Sequence, residues 1–150
     1  MNMGSTRKAA KSDVEVICSF DSLAKENDER RKFVERAIAQ GNCFVILLEG
    51  QVVGYGVLEH WFYGNGFISM LMVHPEHRKK GVGSAIINHL ESVCTTERIF
   101  TSTNQSNIPM QSLLAKLGYR PSGKIENLDE GDPELVYFKS LSCQGERHGG

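Results

Sequence analysis

The chain has 150 residues and a formal net charge of −1, with 40% hydrophobic and 23% charged residues. That length builds one hydrophobic core and leaves no room for a second full domain, and the near-zero charge argues against a nucleic-acid-binding surface. The longest apolar runs, CFVILL at 43–48 and FISMLMV at 67–73, fall far short of the roughly 20 residues a membrane-spanning helix needs.

Residues 1–12 carry charge but no apolar stretch, so they read as a flexible N-terminal segment and not as a secretory signal. Val14–Phe20 alternates apolar and polar residues and predicts a short strand. Asp21 or Ser22 can cap a helical segment that resumes through Glu29–Gln40, where Phe33, Val34, Ala37 and Ile38 share one face and Gly41 marks the stop. Cys43–Leu48 and Val52–Trp61 predict two strands joined by a turn at Glu49-Gly50-Gln51. Gly64-Asn65-Gly66 turns the chain into Phe67–Val73, apolar at almost every position, as expected of a strand buried on both faces.

Helical spacing returns over Gly83–Cys94 through Ile86, Ile87, Leu90, Val93 and Cys94. Arg98–Thr103 predicts a strand, and Pro109–Lys116 a short helix ended by Gly118. Leu135–Lys139 predicts a last strand, and residues 141–150 a flexible polar tail. The folded domain is therefore expected over 13–140, as a mixed α/β fold on one sheet. Cys18, Cys43, Cys94 and Cys143 sit singly, without any Cys-x-x-Cys; buried, reduced thiols in a cytoplasmic protein are expected.

The stretch that carries chemistry is Val73-His74-Pro75-Glu76-His77-Arg78-Lys79-Lys80-Gly81-Val82-Gly83-Ser84, placed between a strand and an amphipathic helix. Two glycines flanking one residue let the backbone turn tightly and present N–H groups at a helix N-terminus, a site suited to phosphate or pyrophosphate. The dinucleotide fingerprint does not fit, because Ile86 stands where its third glycine would be, and no Gly-Lys-Ser/Thr follows to make a P-loop.

Strand, VHPEHRKKGVGS and helix together resemble the acyl-CoA signature Arg/Gln-x-x-Gly-x-Gly/Ala of the GNAT superfamily of N-acyltransferases. About 30 residues on, Asn107-Ile108-Pro109-Met110 and Leu113-Leu114-Ala115-Lys116-Leu117-Gly118-Tyr119 resemble that family's second motif. The resemblance covers about residues 13–140 and implies a single GNAT-like domain. It further implies acetyl-CoA as cofactor, with CoA as product. The backbone of Leu71, Met72 and Val73 would pair with the pantetheine arm. Amides of Arg78, Lys79, Lys80, Gly81, Val82, Gly83 and Ser84 would hold the pyrophosphate, and Asn107 would contact the cofactor.

Two positions depart from the family pattern. The strand before the signature often carries a Glu, but this chain has Ile68-Ser69-Met70-Leu71. Glu59 and His60, at the end of the preceding strand, are the nearest candidates, and Glu59 is preferred as general base; a solvated strand-end charge is the alternative. His74 and His77 read as capping or solvating the turn. The usual Tyr that protonates the leaving thiolate falls at Leu114; Tyr119 reads as core, while Tyr63 and Tyr137 are substitutes.

The segment Glu126–Glu134 carries five carboxylates and no positive charge. It reads either as an acidic lip that attracts a cationic amine or as a solvated loop. Trp61-Phe62-Tyr63 either walls an acceptor pocket or joins the core. The expected activity is acetyl transfer from acetyl-CoA to an amine of a small molecule or protein; the other reading is a non-catalytic acyl-CoA sensor. The resemblance also points to a homodimer, and neither a metal, nucleic acid nor a membrane is expected as partner.

Overall fold

The computed structural model describes residues 4–141. Chain order is β1 (Ser5–Lys8), α1 (Val14–Phe20), α2 (Ser22–Glu26), α3 (Asp28–Ala39), β2 (Cys43–Leu48), β3 (Gln51–Phe62), β4 (Asn65–Val73), α4 (Val82–Val93), β5 (Arg98–Asn104), α5 (Ile108–Lys116), β6 (Arg120–Ile125) and β7 (Glu134–Ser140). The seven strands form one sheet in the order β1-β2-β3-β4-β5-β7-β6. The β4–β5 pair is parallel, while β1–β2, β2–β3, β5–β7 and β6–β7 are antiparallel. The mixed α/β class expected from the sequence is the one observed.

Two hairpin loops of two residues set this register. Glu49 and Gly50 join β2 to β3 with φ of 50° and 82°, and Tyr63 and Gly64 join β3 to β4 with φ of 53° and 78°. Positive φ at both central residues matches the twist of paired strands, which is why a glycine follows in each loop.

Contacts group the described chain into two compact units. The first runs to Leu58 and resumes over Met70–Ser92. Its core joins Ile17, Phe20, Val34 and Ala37 of the N-terminal helices to Cys43, Val45, Tyr55 and Val57 of β2 and β3. At its centre lies Asp21, with no exposed surface. This carboxylate accepts hydrogen bonds from the amides of Leu23 and Ala24, from Arg30 Nη1 at 2.8 Å and from the Tyr55 hydroxyl at 2.6 Å. Burial and this hydrogen bond push the Tyr55 hydroxyl far above its ordinary pKa. On another face of β3, α4 approaches closely because Gly54 and Gly56 carry no side chains. A Cβ on Gly54 would lie 2.9 Å from Ile86 Cδ1 and 3.1 Å from the Met72 carbonyl oxygen.

The second unit comprises Glu59–Ser69 and the chain from Val93 onward. Ile68, Ile99, Leu114, Tyr119 and Leu141 are buried there. Thr101 Oγ1 donates to the Ile68 carbonyl at 3.0 Å, which satisfies its buried hydroxyl within the parallel ladder.

Several expectations are corrected. Val14–Phe20 is a helix and not a strand, because Val14, Ile17 and Cys18 are all buried while Val16 is 37% exposed. Over seven residues both periods fit the sequence, and packing decides. The N-terminal segment expected to be flexible contains β1, paired with β2 from Ser5↔Leu47 to Lys8↔Phe44. Arg7 also binds Asp13 through two hydrogen bonds, at 2.8 and 3.2 Å. The run Phe67–Val73 is a strand, but Leu71, Met72 and Val73 are only half-buried, since they lie beyond its ladder with β5. The exposed strand β6, with Pro121 and a register shift before Gly123, has no apolar alternation to announce it; such irregularity suits an edge strand. Cys18, Cys43 and Cys94 are free and buried, and burial pushes the Cys43 thiol up to about 12. Cys143 and the tail from Ser142 lie outside the described residues.

Asp21→Ala is expected to lower stability by about 3 kcal/mol, because Arg30 then keeps a partly buried charge without its partner. Urea denaturation checks it. Gly54→Val should cost roughly 1–3 kcal/mol by crowding α4, read as a lower melting temperature.

Candidate active site

At the end of β4 the chain enters a 3-10 turn at Pro75–His77, whose start is capped by His74 Nδ1 accepting the Glu76 amide at 3.0 Å. The capping role expected for His74 is thus the one found. Arg78 follows, its Nε donating to the Val73 carbonyl at 3.4 Å, so this side chain is tied back to the strand. Lys79 and Gly81 take φ of 62° and 83°. This left-handed geometry is cheap for glycine and strained for lysine. It swings the chain into α4, which starts at Val82.

The first-turn amides of an α-helix have no partner within the helix. Those of Val82, Gly83 and Ser84 stand at such a terminus, and Arg78, Lys79 and Lys80 are exposed immediately before it. The arrangement suits a polyanion bearing phosphates: N–H donors, the positive helix end and three cations lie within seven residues of chain. Upstream, β4 pairs with β5 only over Gly66–Ile68 against Ile99–Thr101. Leu71, Met72 and Val73 thus bring backbone groups beyond that ladder, the requirement for holding an amide-bearing arm by main-chain hydrogen bonds. These residues fit the pantetheine and pyrophosphate of a CoA thioester.

Asn107 is the N-cap of α5, its Oδ1 accepting the Met110 amide at 3.2 Å. Leu114 is fully buried, so the position where a tyrosine acid was sought is packing. Tyr119 is also core, with the Lys139 ammonium 5.6 Å from its ring centroid. Of the tyrosines considered as substitutes, Tyr63 is 89% exposed and Tyr137 is buried.

Glu59 is half-buried near the end of β3. Its Oε1 accepts a hydrogen bond from Trp61 Nε1 at 3.0 Å and another from Ser69 Oγ. The Glu59 carboxylate of β3 thus meets Ser69, within the β4 stretch Ile68–Leu71 that has no carboxylate of its own. The two-residue loop at Tyr63-Gly64 is the sequence signal that pairs these two strands. His60 does something else: its Nε2 accepts the Thr95 amide at 3.2 Å, which occupies the lone pair a base would use.

Much of the acidic segment is structural. Asp129 accepts from Asn104 Nδ2 at 2.9 Å, Asp132 from the Ser106 amide and hydroxyl, and Glu134 from Ser102 Oγ at 2.8 Å. These bonds tie the segment to β5 and the residues after it, leaving Glu126 and Glu130 as exposed carboxylates without such a role in this set of contacts. Trp61, Phe62, Phe67 and Phe100 form a chain of ring contacts with centroids 4.8–5.3 Å apart. No helix among the described residues is long and apolar enough to cross a membrane, and no group of three or more metal-ligating side chains occurs among them.

Gly81→Val is expected to weaken binding of CoA at least tenfold, since a β-branched residue resists φ of 83°. Calorimetric titration measures it, with melting temperature as the control for folding.

Known proteins share this fold. A protein from Bacillus cereus described as a GNAT-family acetyltransferase superposes with a TM-score of 0.86 at 32% identity, covering 93% of this chain and 98% of its own. YncA from Salmonella typhimurium, solved with its cofactor acetyl-CoA, shares the fold at a TM-score of 0.74 and 20% identity, over 93% and 95% of the two chains. The uncharacterized N-acetyltransferase MJ1530 of Methanocaldococcus jannaschii is 33% identical over 104 residues, 65% of this chain and 66% of its own length. The description of the acetyltransferase (GNAT) family matches residues 13–119, and this chain belongs to that family.

Proposed function

We propose that this GNAT acetyltransferase moves an acetyl group from acetyl-CoA to a primary amine by direct attack in a ternary complex. The observation that carries the reading is the tight turn Arg78–Gly81 leading into the free N-terminus of α4, downstream of a β4 end that lies outside the ladder with β5. Acetyl-CoA supplies an activated thioester, so the protein's task is positioning and proton handling. Leu71, Met72 and Val73 would align the pantetheine arm. Amides of Arg78, Lys79, Lys80, Gly81, Val82, Gly83 and Ser84 would bind the pyrophosphate, with the three cations balancing its charge. Asn107, fixed at the start of α5, would contact the cofactor through its remaining amide hydrogens.

An amine with pKa about 10.4 is almost wholly protonated at neutral pH and cannot attack in that form. Glu59 is the group assigned to receive the proton, directly or through water. The neutral nitrogen then bonds to the acetyl carbon, the carbon–sulfur bond breaks, the nitrogen gives up its second proton to solvent water, and the sulfur leaves as thiolate to be protonated. Because Leu114 has no proton to give, that last proton comes from solvent or from the conjugate acid of Glu59. Glu126 and Glu130 would favour a cationic acceptor by a modest, salt-sensitive attraction.

Leu114 also favours a second reading, a non-catalytic acyl-CoA-binding module. Thiol release from acetyl-CoA across polyamines, amino acids, aminoglycosides and lysine peptides separates the two. Turnover with an amine is expected; tight CoA binding without turnover on any acceptor would favour the module. With an active acceptor, Glu59→Gln should lower kcat by 10²-fold or more while leaving CoA affinity within twofold. A kcat equal to the parent's would remove Glu59 from the mechanism.

A further inference from the structure

Glu59 and Ser69 sit on neighbouring antiparallel strands, and their side chains meet. Ser69 Oγ and Trp61 Nε1 both donate to the same oxygen, Glu59 Oε1. Oε2 has no hydrogen-bond partner among the described residues, and no Lys or Arg there forms an ion pair with this carboxylate. His60, next in sequence, is engaged by the Thr95 amide. A carboxylate offers about four acceptor sites, two on each oxygen. Here both donors crowd onto one oxygen and leave the lone pairs of the other unclaimed.

One of the two donors, Trp61, is itself braced by neighbouring rings. The Trp61 ring lies 5.3 Å from Phe67 and 5.6 Å from Phe62, centroid to centroid. Phe67 precedes Ser69 by two residues on β4, as Glu59 precedes Trp61 by two on β3. Glu59, Trp61, Phe67 and Ser69 are therefore linked across the strands, by hydrogen bonds at one end and aromatic contact at the other. A glutamate loses side-chain entropy when it is ordered. Here the hydrogen bonds from Ser69 and Trp61 restrict Glu59 before an amine arrives.

We infer that Ser69 and Trp61 are positioning residues for acetyl transfer: they hold Oε1 of Glu59 so that Oε2 is presented to the proton of the acceptor amine. Both donors are neutral, so they fix the carboxylate's direction without cancelling the charge that attracts an ammonium. Ser69 thus works through Glu59 and has no chemistry of its own. The inference rests on Glu59 being the base.

The test is a double-mutant cycle on the full chain. Ser69→Ala, Ser69→Thr, Trp61→Phe and Glu59→Gln are made singly, and Ser69→Ala and Trp61→Phe are each combined with Glu59→Gln. The readouts are kcat and KM for the amine found in the acceptor panel, CoA affinity, and melting temperature. Ser69→Ala is expected to lower kcat roughly tenfold, in line with the cost of a misplaced catalytic group, with CoA affinity within twofold. Ser69→Thr keeps the hydroxyl and should restore most of the rate. Trp61→Phe keeps the ring contacts, removes only the N–H, and should lower kcat in the same way. In the Glu59→Gln background neither change should lower the rate by more than twofold. Equal rate losses in both backgrounds would mean that Ser69 and Trp61 act independently of Glu59, and the inference falls. A Ser69→Ala enzyme with parental kcat overturns it as well. If Glu59→Gln alone is fully active, the base assignment fails first and takes this inference with it.

Discussion

The first unit is organised around one buried carboxylate. Asp21 has no exposed surface and takes four hydrogen bonds, two from the amides that open α2, one from Arg30 of α3 and one from Tyr55 of β3. Leaving such a group unpaired would cost several kcal/mol, so the helices and the strand are held to the one arrangement that satisfies it. Arg30 extends the network further: its Nη1 also lies 3.9 Å from Met70 Sδ on β4. The strand β4 is thereby linked to the helical layer. The apolar cluster of Ile17, Phe20, Val34, Tyr55 and Val57 provides the bulk of burial, and the Asp21 network gives it direction.

A second constraint acts through absence of side chains. Gly54 and Gly56 let α4 lie against β3 at a distance no Cβ would permit without displacing Ile86 or Leu90. Where that helix lies fixes where its first-turn amides stand, the kind of terminus that suits an anion. Lys79 and Gly81, both at positive φ, complete the turn. Packing on β3 and the placement of the α4 terminus are consequences of the same close approach.

The glycine turn and the helix cap were largely legible in the sequence because they are local. Arg78 through Ser84 form a continuous turn whose geometry follows from glycine spacing and the start of a helix, and Asn107 is a helix cap readable from Asn107-Ile108-Pro109. The surroundings of Glu59 were harder to read because they are not local. Glu59, Trp61 and Ser69 converge only through pairing of β3 with β4, and no periodicity states which side chains of adjacent strands will touch. The acidic segment shows the reverse error: its charge stood out in sequence, yet Asp129, Asp132 and Glu134 are engaged by Asn104, Ser106 and Ser102, and most of the charge serves loop geometry.

The sequence alone determined the α/β class, nearly all the strands and helices from Asp28 to Lys116, and the glycine turn that leads into α4. Each depends on residue type and spacing within a few turns of chain. Tertiary structure decided the rest. It made Val14–Phe20 a helix by burying the successive residues Ile17 and Cys18, each in its own apolar cluster, and it recruited Ser5–Lys8 as an edge strand against β2. It also placed the carboxylate of Glu59 on the hydroxyl of Ser69. Such outcomes depend on contacts between residues distant in sequence or on different strands, and short segments compatible with two local structures take the one that buries and satisfies them best.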